Sequence, residues 1–513
     1  MRLLGVEAMR ELDRRAVTDL GLDVQLLMEV AGAALARHAR EMRAGSPGPA
    51  LLLIGGGHNG GDGLVAARHL QAAGVPAHVL FWAEADRLPP AARRNLDLLR
   101  RAAGPLTARP SPPEVARLAA EAGVIVDCLF GTGFHGVPRA PFPDVIAAIN
   151  AAEAPILAAD IPSGLSGDLG QGPEGACVRA SRTLCMGAVK AGLFSPPGRA
   201  YAGEVVLESL GIPEAAWSGL PAVHGLEGPE VAALLPPRRP VGHKGTYGTV
   251  LALVGSLGMA GAAALAAGGA LRAGCGLCRV ACPEGVVGAV ASQRVEATVR
   301  PLPAAPDGTL AEAAAEHLPA LLAGVEAVVA GPGLGRGRGV RRAVLGLLAV
   351  YGGPLVLDAD GLNAVELADL RAASGSVIIT PHPGEAGRLL GISSQEVQAD
   401  RLGAVRRLAA DGRCVAVLKG AGTLVAVPDG PVACNPTGND GMGTGGTGDV
   451  LAGIVAGLAA QGADPPAAAT AGVYVHGLAG DLAAEAEGRR SLVAGDLLEY
   501  LGSAFRRLLG PTA

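Results

Sequence analysis

The stretch at residues 435–453, NPTGNDGMGTGGTGDVLAG, carries the most informative local pattern of the chain. Its second half, GGTGD at residues 445–449, is followed by an apolar run without proline at residues 450–458. This pattern indicates a glycine-rich turn that opens a buried helix. Converging backbone N–H groups and the partial positive charge of the helix N-terminus suit an anion such as phosphate. Asp449 stands where the helix begins, so it is either the N-cap or a catalytic base beside the phosphate.

The composition of the chain restricts its class. A chain of 513 residues is too long for one ordinary domain, and 50% hydrophobic residues supply large cores. Only 3% of the residues are aromatic and the net charge is −5, which argues against a nucleic-acid partner. The N-terminus has no apolar signal region, and no uncharged apolar tract reaches the roughly 20 residues of a membrane span. We therefore expect a soluble, cytoplasmic protein without a membrane segment.

The eight cysteines are dispersed and fit reduced thiols better than a disulfide framework. Cys275 and Cys278 form a CxxC pair with Cys282 beyond it. Because no second ligand pair follows at zinc-finger spacing, we interpret them as small core residues.

Three predicted strands of the first half end in polar residues followed by glycines. They are residues 50–54 before GGGHNGGDG, residues 124–127 before LFGTGFHG, and residues 155–160 before IPSG. We expect the first glycine turn to cover residues 55–63, with a helix from residue 64. Ligands of open α/β sheets bind at the carboxyl ends of the strands. Three such ends together predict a ligand site rather than three separate loop caps.

The second half repeats the alternation of strands and helices, which predicts another parallel α/β domain. Strands are expected near residues 249–254, 277–282, 327–330, 354–357, 376–380 and 414–418. Polar residues again occur at or beyond the strand ends, namely Asp360, Asn363, His382, Glu385, Lys419, Thr423, Asn435 and Asp449. A segment rich in Gly, Pro and Ala locates the join between the halves near residues 215–225.

The first-half motifs resemble the epimerase domain of the YjeF family, the N-terminal half of the NAD(P)H-hydrate repair proteins. The resemblance rests on HNGGD at 58–62, on Asp127 with GTGFHGV at 131–137, and on DIPS at 160–163. His58 stands where the family often has Asn. The resemblance implies that these loops hold the hydrated dinucleotide. The implied contacts are His58, Asn59, Gly60, Gly61, Asp62, Gly131, Thr132, Gly133, Phe134, His135, Gly136, Val137 and Asp160.

The same resemblance implies the remaining chemistry of the first half. Asn59, Asp127 and Ser163 would supply oxygen ligands to a monovalent cation, K⁺. Asp160 would act as acid and base at the modified nicotinamide ring. Lys190 is a further candidate for steering charge.

The second-half motifs resemble the ribokinase-like dehydratase of the same repair proteins. They are KGTYG at 244–248, GPGLG at 331–335, DADGLN at 358–363, HPGE at 382–385, LKGAGT at 418–423 and the stretch at 435–449. The resemblance implies that Asp449 is the catalytic base. It also implies a nucleotide site of Lys419, Gly420, Ala421, Gly422, Thr423 and Gly448. The implied hydrate contacts are Ala262, Gly333, His382 and Asp449.

A kinase-like domain suits a dehydration because hydroxide is a poor leaving group, whereas phosphate leaves easily. The resemblance implies ADP as the co-substrate, giving AMP, with Mg²⁺ at the phosphates. The expected reactions are epimerisation of R- and S-NAD(P)HX and dehydration of the S form to NAD(P)H. The expected partners are thus NADHX or NADPHX and ADP, without nucleic acid or membrane, and a homo-oligomer is expected.

The sequence therefore predicts an N-terminal Rossmann-like three-layer α/β/α domain at residues 1–215, a linker at 216–225, and a ribokinase-like α/β domain at 226–513. Two alternatives stay open at this point. The second half could be a kinase for a small alcohol, and the first half a non-catalytic nucleotide-binding module.

Overall fold

The computed structural model describes residues 1–102, 104–134, 136–168, 170–173, 175–194 and 196–510. The chain divides into two compact units between Val223 and His224. The predicted limits of the domains and the linker stay predictions.

The N-terminal unit alternates short strands with helices. Its elements are β1 (Arg2–Leu4), α1 (Val6–Arg14), α2 (Val24–Met42), β2 (Ala50–Ile54), α3 (His58–Ala72), β3 (Ala77–Phe81), α4 (Pro90–Arg101), β4 (Leu106–Ala108), α5 (Pro112–Glu121), β5 (Val124–Cys128), α6 (Phe142–Asn150), β6 (Ile156–Ala159), β7 (Arg182–Met186), β8 (Val189–Lys190), α7 (Ala191–Phe194), α8 (Pro196–Ala202) and β9 (Glu204–Glu208).

Seven of these strands form a parallel sheet in the order β4-β3-β2-β5-β6-β7-β9. Alternate residues of β2 face opposite sides of this sheet, as the strand period requires. Leu52 and Ile54 belong to the core under α2, α3 and α4, whereas Leu51 and Leu53 belong to the core under α5 and α6. Helices thus cover both faces, and the predicted three-layer Rossmann-like fold is confirmed.

The first glycine turn is shorter than the sequence suggests. Helix α3 begins at His58, so only Gly55–Gly57 form the turn and the later glycines lie inside the helix. Packing explains them. A Cβ at Gly60 would lie 2.1 Å from the Gly55 carbonyl oxygen, and one at Gly61 would lie 2.6 Å from the Met28 side chain. The prediction of a turn over residues 55–63 is wrong because these glycines serve close packing.

The C-terminal unit is larger. Its elements, with β10 at the division, are β10 (Val223–Gly225), α9 (Gly228–Leu234), β11 (Thr249–Leu253), α10 (Ala260–Ala273), β12 (Leu277–Pro283), α11 (Val287–Gln293), β13 (Thr298–Leu302), α12 (Leu318–Leu321), β14 (Ala327–Ala330), α13 (Arg338–Val350), β15 (Leu355–Leu357), α14 (Asp360–Asn363), α15 (Leu367–Arg371), β16 (Val377–Ile379), α16 (Pro383–Leu390), α17 (Ser394–Ala399), α18 (Arg401–Gly412), β17 (Val415–Leu418), β18 (Leu424–Ala426), β19 (Val432–Cys434), α19 (Thr447–Ala460), α20 (Pro465–Glu487) and α21 (Ala494–Leu509).

The sheet of this unit follows the order β13-β12-β11-β14-β15-β16-β17-β18-β19. The strands from β13 to β17 pair in parallel, and β18 and β19 continue the sheet as antiparallel strands. The carboxyl ends of β11 and β14–β17 therefore meet at one edge.

Small residues bring α19 against α10. A Cβ at Gly453 would lie 2.0 Å from the Ala266 carbonyl oxygen, and one at Gly457 would lie 2.6 Å from the Ala270 carbonyl oxygen. Any larger side chain would push the helices apart, so the glycines fix the position of α19 and of its N-terminus.

Cys275, Cys278 and Cys282 are buried thiols of this core, as predicted. Within the described ranges, no group of three or more His, Cys, Asp or Glu side chains is arranged to hold a metal ion. None of the described helices has the length and apolarity that crossing a membrane requires.

Candidate active sites

A cavity of about 870 Å³ opens at the carboxyl edge of the N-terminal sheet. Eight of the predicted contacts line it, namely His58, Asn59, Asp62, Gly131, Thr132, Gly133, Phe134 and Asp160. Gly60 and Gly61 are buried in α3 instead, and Gly136 and Val137 do not line the cavity. His135 lies outside the described residues.

Asp127, Ser163 and Asn59 form a buried polar cluster beside this cavity. Ser163 Oγ donates to Asp127 Oδ1 over 2.7 Å, and the Ser163 amide donates to Asp127 Oδ2 over 2.8 Å. Asn59 Nδ2 donates to the Phe130 carbonyl over 2.9 Å, and the Phe130 amide donates to Ser163 Oγ over 2.9 Å. The structure thus brings together the three residues that the sequence predicts as cation ligands.

The cluster also has the chemistry of a cation site. Asn59 Oδ1 is buried and has no hydrogen-bond partner among the described residues. Burial raises the pKa of Asp127 to about 6, against the hydrogen bonds from Ser163 and Leu129 that lower it. A bound cation would satisfy the orphaned oxygen and favour the ionised carboxylate. The residues present therefore fit a K⁺ ion.

Asp160 follows β6 and is held by a buried lysine. Its backbone has φ +65°, an uncommon conformation for a residue with a side chain. Lys190 Nζ forms an ion pair with Asp160 Oδ1 and donates to the Met186 and Ala188 carbonyls over 3.1 and 3.0 Å. Burial by itself lowers the pKa of Lys190, but the Asp160 carboxylate outweighs it and the pKa is raised. Lys190 is fully buried, so it orients the Asp160 carboxylate rather than contacting solvent.

Two further carboxyl groups share this end of the cavity. Burial, followed by repulsion from Asp160 and Asp13, raises the pKa of Asp62 well above its usual range. Asp13 lines the cavity, and its reduced contact with solvent there raises its pKa to about 6, with a smaller opposing effect of Lys190. Asp13 was not predicted, because its position on the amphipathic helix α1 indicated only packing. Asp62 and Asp160 thus place two carboxyl groups at one end of the cavity, where they can supply and accept protons.

The predicted residues of the C-terminal unit follow the strand order along its sheet edge. Ala262 comes after β11, Gly333 after β14, Asp360 after β15, His382 after β16 and Lys419 after β17. A Cβ at Gly333 would lie 2.9 Å from that of Ala262, so these two residues are neighbours. Lys419 is three strand spacings from β14, about 14 Å away. The edge therefore offers two separate binding regions.

Lys419, Asp358 and the first turn of α19 lie close together at this edge. Lys419 Nζ is 2.6 Å from Asp358 Oδ1. A Cβ at Gly448 would lie 3.1 Å from Lys419 Nζ and 3.6 Å from Asp358 Oδ2. Asp358 was not among the predicted site residues and stands in the sequence as the first residue of DADGLN. Its position at the end of a buried strand was the available signal.

Asp449 is the third residue of α19, whose N-cap is Gly446 with φ +93°. The alternative of Asp449 as the N-cap is therefore wrong. Burial, followed by repulsion from Asp358, raises the pKa of Asp449 to about 7, with Lys419 opposing the rise. A carboxyl group with a pKa near neutrality can remove a proton and release it again, as a general base must.

Turn geometry and hydrogen bonds from the Arg401 side chain fix the backbone of the loop after β17. Gly420 and Gly422 have φ of +135° and +66°, and Thr423 Oγ1 donates to the Gly420 carbonyl over 2.9 Å. The Arg401 guanidinium donates to the carbonyls of Leu418, Lys419 and Gly422. These contacts fix the backbone of the loop that carries the predicted nucleotide-binding residues Lys419–Thr423, including Ala421. Within the described structure, the other side chains of this loop make no hydrogen bond to the Lys419 ammonium.

His382 caps helix α16. Its Nδ1 accepts from the Gly384 amide over 2.9 Å and from the Glu385 amide over 3.4 Å. Because Nδ1 is an acceptor, the neutral ring carries its proton on Nε2. The ring is 57% exposed, so this N–H can donate to a ligand.

The KGTYG motif lies away from this site. It precedes β11, and a Cβ at Gly248 would lie 2.0 Å from the carbonyl oxygen of Ala460, the last residue of α19. Asp449 is at the other end of that helix, more than 15 Å away at about 1.5 Å per residue. The structure therefore does not bring Lys244 to Asp449.

Comparisons with known proteins cover both units. A family model described as NAD(P)H-hydrate dehydratase matches residues 250–502, and a model of the YjeF-related protein N-terminus matches residues 24–192. The bifunctional NAD(P)H-hydrate repair enzyme of Moorella thermoacetica is 40% identical over 523 residues, which cover 99% of this chain and 97% of that protein. The enzyme of the same description from Escherichia coli is 36% identical, covering 97% and 92%.

Among solved structures, a ribokinase-like superfamily protein of Enterococcus faecalis is similar with a TM-score of 0.50 and 24% identity. The match covers 56% of this chain and 97% of that protein. This likeness supports the ribokinase-like fold alone.

Proposed function

This chain belongs to the bifunctional NAD(P)H-hydrate repair enzymes, and from that membership we propose which of its residues carry each reaction. The N-terminal unit epimerises R- and S-NAD(P)HX, and the C-terminal unit dehydrates the S form to NAD(P)H. The observation that carries the assignment is Asp449, whose pKa is raised to about 7 between two separate binding regions on one sheet edge.

Asp449 is the base of the dehydratase. The hydrate binds against Ala262 and Gly333, with the Nε2–H of His382 donating to it. Asp449 removes the proton of the 6-hydroxyl group as that oxygen attacks the terminal phosphoryl group of the nucleotide. The amides at the start of α19 stabilise the charge on the transferred group. The C6–O bond then breaks with phosphate as the leaving group, C5 loses a proton to water, and the C5–C6 double bond of the nicotinamide ring forms again.

The nucleotide binds on the opposite side of Asp449, over the loop of Lys419 to Thr423 and against Gly448. We propose ADP as the co-substrate, which gives AMP and phosphate. Mg²⁺ bound to the phosphates would neutralise part of their charge.

In the epimerase, Asp160 is the acid and base at the hydrated ring. Lys190 positions its carboxylate, and the partly buried Asp62 supplies a second exchangeable proton. Asn59, Asp127 and Ser163 would hold K⁺, which would supply positive charge beside the cavity. The orphaned Asn59 Oδ1 supports this ligand set.

We further propose that the protein acts in the cytoplasm as a homo-oligomer, on NADHX and NADPHX, without nucleic-acid or membrane partners.

Purified R- and S-NADHX, supplied with Mg²⁺ and either ADP or ATP, test the proposal on the full chain. We expect NADH absorbance to recover from both epimers, with one phosphate and one AMP formed for each NADH in the ADP reaction. A stable phosphorylated alcohol would favour the small-molecule kinase alternative. Recovery from the S epimer alone would favour a non-catalytic N-terminal module.

A further inference from the structure

Aromatic residues are scarce in this chain but collect at one wall of the N-terminal cavity. The chain has six phenylalanines and two tryptophans. Three of those phenylalanines and one tryptophan line this wall, namely Phe130, Phe134, Phe142 and Trp82. Each of the four is partly accessible rather than fully buried. We call these four residues the aromatic wall.

The rings of the aromatic wall contact one another in sequence. Phe130 and Phe134 stack with their centroids 4.5 Å apart, and Phe142 meets Phe130 edge-on at 4.9 Å. Trp82 meets Phe142 edge-on at 6.1 Å. These contacts hold the rings in fixed orientations, which lowers the entropy cost of stacking a planar ligand against them.

The position of Trp82 in the fold indicates which part of the substrate it meets. Trp82 directly follows β3, whereas Asp160 directly follows β6. The strands β2 and β5 lie between them, so the two strand ends are three spacings, about 14 Å, apart. The glycine turn at residues 55–57 follows β2 and lies between these ends. The cavity thus runs from an indole, past a glycine turn, to a carboxylate.

We propose that the Trp82 end of the aromatic wall stacks on the adenine of the dinucleotide hydrate. This inference rests on the proposed function, in which Asp160 meets the hydrated nicotinamide ring. With that ring at Asp160 and the pyrophosphate over the glycine turn, the adenosine half must extend towards β3. Adenine is planar and aromatic, so it can stack on the indole ring without specific hydrogen bonds between the base and the protein.

An unpaired donor supports the same assignment. Trp82 Nε1 is buried and has no acceptor in the described part of the chain. Buried donors in folded proteins are normally paired, which fits an acceptor supplied by a bound ligand. A hydroxyl group of the adenosine ribose is an acceptor of the required kind, and it can lie at the edge of the indole while adenine stacks on the ring face.

The test compares two substrates that share the reacting ring. NADHX carries adenosine, whereas the hydrate of reduced nicotinamide mononucleotide lacks it. Loss of a base-stacking ring costs about tenfold or more in binding. We therefore expect Trp82→Ala to lower kcat/KM for epimerisation of NADHX about tenfold or more. For the mononucleotide hydrate, kcat/KM should change less than about twofold.

Two further variants keep the test decisive if Trp82→Ala folds poorly. Trp82→Phe keeps a ring but removes the N–H, so it should retain most of the discrimination between the two substrates. Trp217→Phe is the matched control, because Trp217 packs in a separate cluster with Ile212, Leu220 and Ala222. Its kcat/KM should equal that of the wild type for both hydrates.

Equal losses of kcat/KM for the two hydrates would overturn the proposal, because Trp82 would then act on the nicotinamide ring that both substrates share. Unchanged kinetics in Trp82→Ala would overturn it as well. Failure of the wild type to epimerise either hydrate would instead contradict the proposed function.

A binding measurement gives an independent readout. In the Trp217→Phe protein Trp82 is the single tryptophan. ADP-ribose at a concentration that inhibits epimerisation should quench its fluorescence through direct stacking. Unquenched Trp82 fluorescence under those conditions would overturn the proposal.

Discussion

Lys419 Nζ lies 2.6 Å from Asp358 Oδ1, and the Asp358 side chain is 1% exposed. The carboxylate therefore cannot exchange its partner for water, and the lysine is held in the site even without a ligand. Burial lowers the pKa of Lys419, but the combined attraction of Asp358, Glu385 and Asp449 outweighs it and raises the pKa. The Lys419 ammonium, with its charge balanced by Asp358, is thus held beside Gly448.

We predict that Lys419→Met destabilises the C-terminal unit by roughly 2 kcal/mol or more, because it leaves the buried Asp358 carboxylate unpaired. The double variant Lys419→Met with Asp358→Asn should regain most of that stability but not the dehydratase activity. Urea unfolding and the KM for ADP measure the two effects. A double variant with a normal KM for ADP would contradict the nucleotide role of Lys419.

Asp449→Asn should abolish nucleotide-dependent recovery of NADH from the S hydrate and leave epimerisation unchanged. The substitution keeps the shape of the side chain but removes the base. Absorbance at the NADH band and chromatography of the epimers measure the two reactions separately. Appreciable residual dehydration would remove Asp449 from the role of base.

The same variant should be more stable than the wild type at alkaline pH. The pKa of Asp449 is raised from 3.8 to about 7 in the folded protein, so ionisation costs stability once the pH exceeds that range. The advantage of Asn should be largest above about pH 7 and should vanish towards pH 4. Thermal unfolding of both proteins across this interval measures it, and a difference independent of pH would contradict the shifted pKa.

Dehydration by the wild type should depend on pH through the same group. Because the base must be ionised, we expect kcat/KM for the S hydrate to fall about tenfold per pH unit below about pH 7 and to level off above it. The epimerase reaction of the same preparation is the internal reference. A flat profile down to pH 5 would assign the proton transfer to a group with an ordinary carboxyl pKa.

In the Asp160→Asn variant, the S hydrate should still be converted to NADH, whereas the R hydrate should remain unconverted. Lys190→Met should have a smaller effect on kcat, because it removes the group that orients Asp160 and not the reacting carboxylate. Chromatographic separation of R- and S-NADHX over time distinguishes the variants. Normal consumption of the R form by Asp160→Asn would refute the acid–base role.

Replacing K⁺ by a large organic cation should lower the melting temperature of the N-terminal unit and slow epimerisation, but it should leave dehydration of the S form unchanged. Asn59→Leu removes the orphaned oxygen and should make both properties insensitive to K⁺. Differential scanning calorimetry with and without K⁺ provides the readout that does not depend on activity. A K⁺-dependent melting temperature in Asn59→Leu would exclude this ligand.

The sequence by itself determined the two α/β domains and the strand ends at which polar residues gather. Strand and helix periods are local properties, and parallel strands necessarily bring their carboxyl ends to one edge. The family motifs added the expected identity of the two reactions. Asp449, Lys419, His382 and Asp160 were all singled out at this level.

Only the tertiary structure decided how these residues act on one another. Sequence could not separate glycines of a ligand turn from glycines of close packing, and it therefore extended the turn after β2 beyond Gly57. It also gave no signal for Asp13, whose charge meets Asp160 from a different element. The pairing of Asp358 with Lys419 joins residues 61 positions apart. Burial and the proximity of other charges shift the pKa of a carboxyl group, and both depend on how segments distant in the sequence pack together.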